Sequence, residues 1–496
     1  MGFDMAQLPE ITLSEELQVV FRAADPELQR LRDLVFRRYP HKEWATFIRC
    51  GWRVTPSGLV LTLASVDPPG TGDMEERVGN VLIRDPYSLR IAQAARSHPL
   101  AVGLVHSHPA GFAPCPSTLD DDMDSYYGER YLRGFAPGRP FVSLIMALHE
   151  GELVVSGRVF WNQEWHAIQR ILLERTPNRT WVDGRRPHDD PPNPRTERLS
   201  SAFGLEAAAR LRRSTVAVIG AGGTGSAAVE VLARAGVGRL IVVDPDVFEE
   251  SNLERVHGSL PEHITKGTPK VVIALEHVRA IAPGCEVLAL KGSLPQAGVV
   301  DALLSADVVV GCTDTQHSRL ALSDLAARYL VPSIDVGVAL AGADGTVTAQ
   351  VAQFRRCLAS DPCMRCRGMI SQWRLNQELM SLEERRQRRE DADAARLRGE
   401  DPTAYWRDEP QLNTVGYLTT AAGSLAAGYA IGWITGRFEP RFTTLEASLL
   451  VPSLAVIREE PLNSECHCTM ARGWADQGAR YSLITAAPHW PPVERL

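Results

Sequence analysis

Residues 215–225 read TVAVIGAGGTG. An apolar, β-branched run gives way to Gly220, Gly222, Gly223 and Gly225, and small and apolar residues follow through Arg234. This is a strand, a tight glycine turn and a helix beginning near Ser226, in the order that the G-x-G-x-x-G pattern requires. Glycines let the backbone come close to phosphate groups, and a helix N-terminus favours their negative charge. A second strand, RLIVVD, ends at Asp244, whose carboxylate is placed to take a ribose hydroxyl. By itself the glycine pattern suggests binding of NAD or FAD. Strand and helix patterns then alternate through this half of the chain, which predicts a Rossmann-like parallel α/β domain.

The segment after Asp244 narrows that reading. DPDVFEESNLERVHG at 244–258, TPK ending at Lys270, GCTDTQHSR around Asp314, PCMRC at 363–366 and GSLAAGYAIG at 423–432 together resemble the ThiF/MoeB and ubiquitin-activating-enzyme family over about residues 198–470. The resemblance implies ATP-dependent adenylation of a ubiquitin-like C-terminus. Asp244 would hold the ATP ribose, Asn252, Arg255 and Lys270 the phosphates, and Asp314 a magnesium ion. Arg and Lys are the groups such a transition state needs, because its charge spreads over phosphate oxygens. The resemblance further implies a homodimer, in which Arg198 matches an arginine lent to the partner's ATP site.

Upstream, residues 106–120 read HSHPAGFAPCPSTLD after the apolar run AVGLV. On a strand, residues two apart point the same way, so His106 and His108 can face one ion. Two imidazoles and the Asp120 carboxylate suit a catalytic zinc with an open position. The whole stretch resembles the JAB/JAMM (Mov34/MPN/PAD-1) metalloproteases. That implies zinc held by His106, His108 and Asp120, oxyanion stabilisation by Ser117, and an upstream glutamate as general base. Glu43, just ahead of a strand-like stretch, matches that base best; Glu75 and Glu76 lie in a polar loop close to the histidines. Known members cleave after the C-terminal glycine of ubiquitin-like tails.

Cys363 and Cys366 with Cys466 and Cys468 are spaced for a structural zinc, although the second pair is one residue tighter than the family's. His467 replacing one thiol, a redox pair and free thiols stay open as readings. Residues 367–465 contain no cysteine, so the thioester-forming residue of ubiquitin-activating enzymes has no counterpart there.

The expected organisation is a JAB/JAMM mixed-sheet domain at 1–175, a Pro-rich linker at 176–200, and a ThiF/ubiquitin-activating-like domain at 201–496 with a charged helical insert near 375–408. An amphipathic helix is expected within LSEELQVVFRAADPELQRLRDLVFRR and another in NQEWHAIQRILLER. A net charge of −7 gives no general basic face for nucleic acid. The uncharged run 415–434 reads as a buried helix rather than a membrane span. Cysteines without a signal pattern place the chain in the cytoplasm. The composite expectation is a bifunctional enzyme of a bacterial ubiquitin-like conjugation pathway. It would use zinc, ATP and magnesium, and meet a ubiquitin-like protein and a conjugating-enzyme-like partner. Sulfur-carrier activation and processing in cofactor or cysteine biosynthesis is the alternative.

Overall fold

The computed structural model describes residues 11–14, 17–76, 81–149, 151–174, 194–408, 414–448, 450, 453–457, 459–478 and 490–496. Residues 175–193, which hold most of the expected linker, lie outside them. Two compact units divide the chain. The first comprises residues 1–191 with 327–331 and 465–481, and the second 192–326, 332–464 and 482–496.

In the first unit, β1 (Leu13–Ser14), β2 (Gln18–Ala23), β3 (Ala45–Thr55), β4 (Gly58–Asp67), β7 (Ala101–Ser107), β8 (Phe141–His149), β9 (Glu152–Trp161), β10 (Glu164–Ala167) and β11 (Arg170–Leu173) form a mixed sheet. Its order is β1-β10-β9-β8-β7-β3-β4-β2-β11. A separate hairpin joins β5 (Met74–Glu76) and β6 (Val81–Ile83). The central β7 is buried along its whole length, which explains its unbroken apolar run. On one face α1 (Glu27–Val35) packs Leu28, Leu31 and Val35 against Phe21, Ile48 and Val105. On the other, α2 (Asp85–Ser97) sets Tyr87 and Ile91 against Phe47, Val102 and Leu104. Behind the short α3 (Thr118–Asp124), a π-helical turn at Ser125–Tyr131 adds Tyr127 to that second face.

Two local expectations change here. QVVFRA forms β2, so the first amphipathic helix shrinks to α1. The residues expected as a helix in NQEWHAIQRILLER form β10 and β11 after a turn at Asn162 and Gln163, both with positive φ. Apolar residues at Trp165, Ile168 and Ile171 mimic a helical stripe, but the turn and the pairing with β9 and β2 prevail.

In the second unit, α4 (Glu197–Phe203) and α5 (Leu205–Arg213) lead into β12 (Thr215–Ile219). Then come α6 (Gly223–Arg234), β13 (Arg239–Val243), α7 (Glu262–Thr265), α8 (Lys270–Ile281), β14 (Glu286–Lys291), α9 (Ala297–Leu303), β15 (Val308–Gly311), α10 (Gln316–Tyr329) and β16 (Ser333–Ala343). The strands β14-β13-β12-β15-β16 run parallel in that order. An antiparallel extension, β17 (Thr346–Cys357), β18 (Thr444–Ser448) and β19 (Ser453–Ile457), makes the sheet mixed rather than purely parallel. The β16–β17 turn is Asp344–Gly345, both with positive φ. An Asp-Gly pair between two apolar runs is a hairpin signal. At the opposite edge β20 (Glu494–Arg495) pairs with β14.

The charged insert is α11 (Gln372–Leu379) and α12 (Leu382–Leu397), the latter capped by Ser381 and Glu384 and largely exposed. The uncharged run forms α13 (Gly416–Thr435), which buries Leu418, Ala422, Ala426 and Ala430 in the core beside α6. Among the described residues no helix is long and apolar enough to cross a membrane. The first unit also contains α14 (His467–Met470).

Candidate functional site

Two constellations of functional side chains stand out, one in each unit. In the first unit, His106 follows Val102 and Leu104 on one face of β7, and His108 lies just past the strand end, where its N–H donates to the Met146 carbonyl. Ser117 caps α3: its hydroxyl and backbone N–H both donate to Asp120 Oδ2 at 2.7 Å. A cap of this kind is worth about 1 kcal/mol. It fixes the first turn so that Asp120 Oδ1 stands 3.1 Å from His106 Nε2. His106 Nε2 is also 3.3 Å from His108 Nε2. Two imidazole nitrogens and a carboxylate oxygen thus converge within 4.8 Å of one another. A single divalent cation would satisfy all three at once. His108 Nδ1 is held by the Ala113 carbonyl at 2.6 Å, which fixes its ring.

Glu43 precedes β3, whose register pairs Ala45 with His106. Ser107 N donates to the Trp44 carbonyl, so Glu43 stands across from His108. Burial pushes the Glu43 carboxyl above its usual range, while His106 pulls it down and Asp120 adds to the rise. Asp120 stays well below the usual range despite burial, because His106 and Ser117 bond to it. Glu76 is engaged by Arg38 and by Lys42 at 2.8 Å, and Glu75 by Arg84 at 3.3 Å, so both rivals of Glu43 are spent elsewhere. Ser117 differs from expectation in one respect: its hydroxyl points at Asp120, so here it orients a donor carboxylate.

In the second unit a cleft of about 570 Å³ opens at the C-terminal ends of β12, β13 and β15, where the strand order reverses. Gly220 has φ +91°, and a Cβ there would sit 2.6 Å from the Cys312 carbonyl oxygen. At Gly225 a Cβ would fall 1.6 Å from the Gly220 oxygen, so the chain itself demands these two glycines. Gly222 also lines the cleft, yet a Cβ there meets nothing within 4 Å. Its missing side chain leaves room for something other than protein.

Asp244 is buried, with Oδ2 accepting from Ala221 N at 2.6 Å and Oδ1 from Asp246 N at 2.8 Å. Each oxygen keeps a lone pair for a ligand hydroxyl. Burial raises its pKa to about 6, although Lys270 pulls it down. Lys270, at the start of α8, pairs with Asp246 at 2.7 Å. Arg255, Lys270, Asp314, Thr414 and Thr419 all line the cleft. Asn252 does not: its side-chain oxygen accepts from Glu249 N at 3.1 Å in a turn just ahead of Arg255. Arg198 is exposed on α4 and also outside the cleft lining.

Sequence reasoning missed the opposite wall. Glu378 on α11 accepts from Gln316 N, His317 N and His317 Nδ1 at 2.8–2.9 Å, closing the N-terminus of α10. Trp490 lies 4.7 Å from the His317 ring. Only the position of His317 just after Asp314 hinted at this wall. Among the remaining cysteines, burial pushes the thiols of Cys50 and Cys312 well up, Cys357 to about 12 and Cys285 to about 11. None of these four is a ready thiolate at neutral pH.

Cys363 and Cys366 in the second unit set their sulfurs 3.7 Å apart. Two thiolates on one tetrahedral zinc are about 3.8 Å apart, from Zn–S bonds of about 2.3 Å. Cys466 caps α14 and Cys468 lies on it; Cys466 Sγ is 3.6 Å from His467 Nδ1.

The sequence pattern of the ThiF family matches residues 195–468. The chain belongs to the ThiF family. Over 168 residues the chain is 33% identical to the SAMP-activating enzyme E1 of Haloferax volcanii, covering 34% of this chain and 58% of that protein. Likewise, 170 residues are 28% identical to the sulfur carrier protein ThiS adenylyltransferase of Bacillus subtilis, covering 34% and 48%. The chain thus spans about half the length of these curated relatives. The crystal structure of E. coli MccB with ATP aligns at a TM-score of 0.41 and 17% identity, over 55% of this chain and 75% of that one.

Proposed function

We infer that this ThiF chain is a bifunctional enzyme: the second unit adenylates the C-terminal carboxylate of a ubiquitin-like protein, and the first is a zinc-dependent isopeptidase acting on the same tail. The adenylation reading rests on one observation above the rest, the cleft that gathers the glycine turn, Asp244, Arg255, Lys270 and Asp314 at the switch point of a parallel sheet. Gly222, Gly223 and the start of α6 cradle phosphates. Asp244 accepts the ribose hydroxyls. Arg255 and Lys270 draw off charge as the tail carboxylate attacks the α-phosphorus and pyrophosphate leaves. Asp314 would hold a magnesium ion, which supplies further charge neutralisation. Asn252 serves by shaping the turn that carries Arg255. The test is exchange of labelled pyrophosphate into ATP in the presence of a ubiquitin-like protein from the same genome. Exchange should stop in Asp314→Ala, and a protein that binds NAD but not ATP would refute the reading.

The peptidase reading rests on the convergence of His106, His108 and Asp120 beside Glu43. A zinc ion held there supplies Lewis acidity. Glu43 takes the proton from the attacking water and returns it to the leaving amine. Known JAB/JAMM enzymes act on ubiquitin-like tails, which is what the sequence resemblance contributes. Zinc analysis of purified protein checks the sites: one zinc should depend on His106 and Asp120, and a second on Cys363 and Cys366.

Both units then recognise one flexible peptide end, and fusing them raises the local concentration of one product near the next site. A cytoplasmic homodimer handing the tail to a conjugating-enzyme-like partner completes the proposal. The B. subtilis relative favours a second reading, activation of a sulfur carrier for cofactor or cysteine biosynthesis. The two part on the acceptor: conjugation makes an isopeptide on a protein, whereas sulfur transfer makes a thiocarboxylate visible by mass.

A further inference from the structure

We propose that Thr420 is an activated nucleophile that accepts the adenylated tail as an oxyester on this chain; the idea rests on the adenylation reading above. Thr420 Oγ1 on α13 lies 3.0 Å from His257 Nε2, and His257 Nδ1 lies 2.8 Å from Glu230 Oε2 on α6. A carboxylate can only accept, so Nδ1 carries the imidazole proton. Nε2 is then the acceptor, and the Thr420 hydroxyl donates to it. Hydroxyl, imidazole and carboxylate stand in the order that activates a weak nucleophile. The relay is held in place: His257 N donates to Ser226 Oγ at 3.0 Å, and Glu230 is braced by Arg234 Nε at 2.9 Å and lies 3.4 Å from His277 Nε2. Burial raises the Glu230 carboxyl, but its bonds to His257 and Arg234 outweigh that and keep it ionised.

Position supports the role. Thr419, the preceding residue, and Arg255, two before His257, both line the nucleotide cleft. Thr420 is half-buried between the exposed Tyr417 and Ala421, one residue beyond the cleft lining. Thr419 is not so equipped, since its hydroxyl donates to its own helix at the Gly416 carbonyl, 3.0 Å away. The sequence between 367 and 465 lacks a cysteine, and the relay supplies a nucleophile of another kind in that interval.

The step balances without a redox partner. Thr420 Oγ forms a bond to the tail's carbonyl carbon. The bond from that carbon to the phosphate oxygen breaks and AMP leaves. The hydroxyl proton moves to His257 Nε2, which Glu230 stabilises as imidazolium.

The full chain is incubated with the preformed mixed anhydride of N-acetylglycylglycine and AMP, which bypasses ATP chemistry, and the peptide carrying 416–435 is examined by mass spectrometry. In parallel, a fluorescent ATP analogue reports the cleft. The expected result is an acyl group on Thr420 that survives dithiothreitol and is removed by hydroxylamine. It should vanish in Thr420→Val, persist in Thr420→Ser, and form at least about 100-fold more slowly in His257→Gln and Glu230→Gln, the range of general-base assistance. If the analogue binds but Thr420 stays unmodified, the contact only braces two helices and the proposal falls while adenylation stands. An ester that forms equally fast in Glu230→Gln overturns the relay. If the analogue does not bind, the adenylation reading fails and takes this one with it.

Discussion

The two sites differ in how their groups are gathered. The metal-donor site takes His106, His108, Ser117 and Asp120 from one strand, loop and helix turn, and adds Glu43 through strand register. The cleft of the second unit collects residues from the ends of β12, β13 and β15, from within β16, from the turn bearing Arg255, from α8, from α11 in the insert, and from Trp490. Spacing along the chain dictates the first site. Topology dictates the second, and spacing reveals only its glycine turn. The first should therefore fail through single side chains, and the second through crowding and charge.

The largest effect is expected at Glu43. Glu43→Gln keeps the size and removes the base, so peptide-bond cleavage should fall by about 10²–10⁴-fold while zinc content stays unchanged. Turnover at the normal rate would return Glu75 or Glu76 to contention, against their engagement by Arg84, Arg38 and Lys42.

Ser117 comes next. Its hydroxyl orients Asp120 here, and an outer partner of a metal ligand is worth about 10–100-fold in affinity. Ser117→Ala should weaken zinc retention by that amount, read by competition with a chelator. If zinc is held as before and only turnover drops, the hydroxyl acts on the oxyanion instead, as the sequence resemblance implies.

At the cleft, Gly222→Ala separates folding from binding. The added methyl meets no protein atom, so the melting temperature should hold. It points into the space assigned to phosphates, so ATP affinity should fall roughly tenfold, equivalent to about 1.4 kcal/mol. Gly225→Ala is the contrast, because its methyl would collide with the Gly220 carbonyl and should lower the melting temperature as well. Unaltered ATP affinity in Gly222→Ala would move the phosphates elsewhere.

The same contrast governs what the sequence discloses. The donor set at 106–120 was legible because β-strand alternation and a helix cap are local rules, and the structure places those residues together. The strand–glycine–helix unit and Asp244 were legible for the same reason. Glu378 and Trp490 were not, since no local rule ties a helix in a charged insert, or a segment near residue 490, to the end of β15. The helix expected in NQEWHAIQRILLER, 162–175, failed because a period of three to four residues in a short segment does not exclude strands. Asn252 shows a further limit: a residue at a binding motif's position can serve the backbone, and only its bond to Glu249 N reveals it. The Thr420–His257–Glu230 relay spans three segments and has no sequence signature.

The smallest expected effect is a pH dependence at Asp244, and its sign is distinctive. Burial raises this carboxyl from 3.8 to about 6 in the nucleotide-free protein, Lys270 opposes the rise and Asp246 adds to it. The folded chain therefore binds this proton more tightly than the unfolded chain. As pH falls from about 6 towards 4, this group adds stability to the nucleotide-free protein, and above 6 that contribution is gone. Ribose binding runs the other way. It needs free carboxylate lone pairs beside those used by Ala221 N and Asp246 N, and protonation occupies one. Adenosine affinity should be constant above pH 7 and fall by up to about tenfold per unit below 6, as one proton per site requires. Adenosine carries no phosphate, so Arg255, Lys270 and phosphate ionisation drop out of the measurement. 2′,3′-Dideoxyadenosine lacks the hydroxyls that Asp244 would accept, and its weaker binding should show no such slope. Equal slopes for both nucleosides would remove Asp244 from the ribose and leave its burial without a function in the cleft.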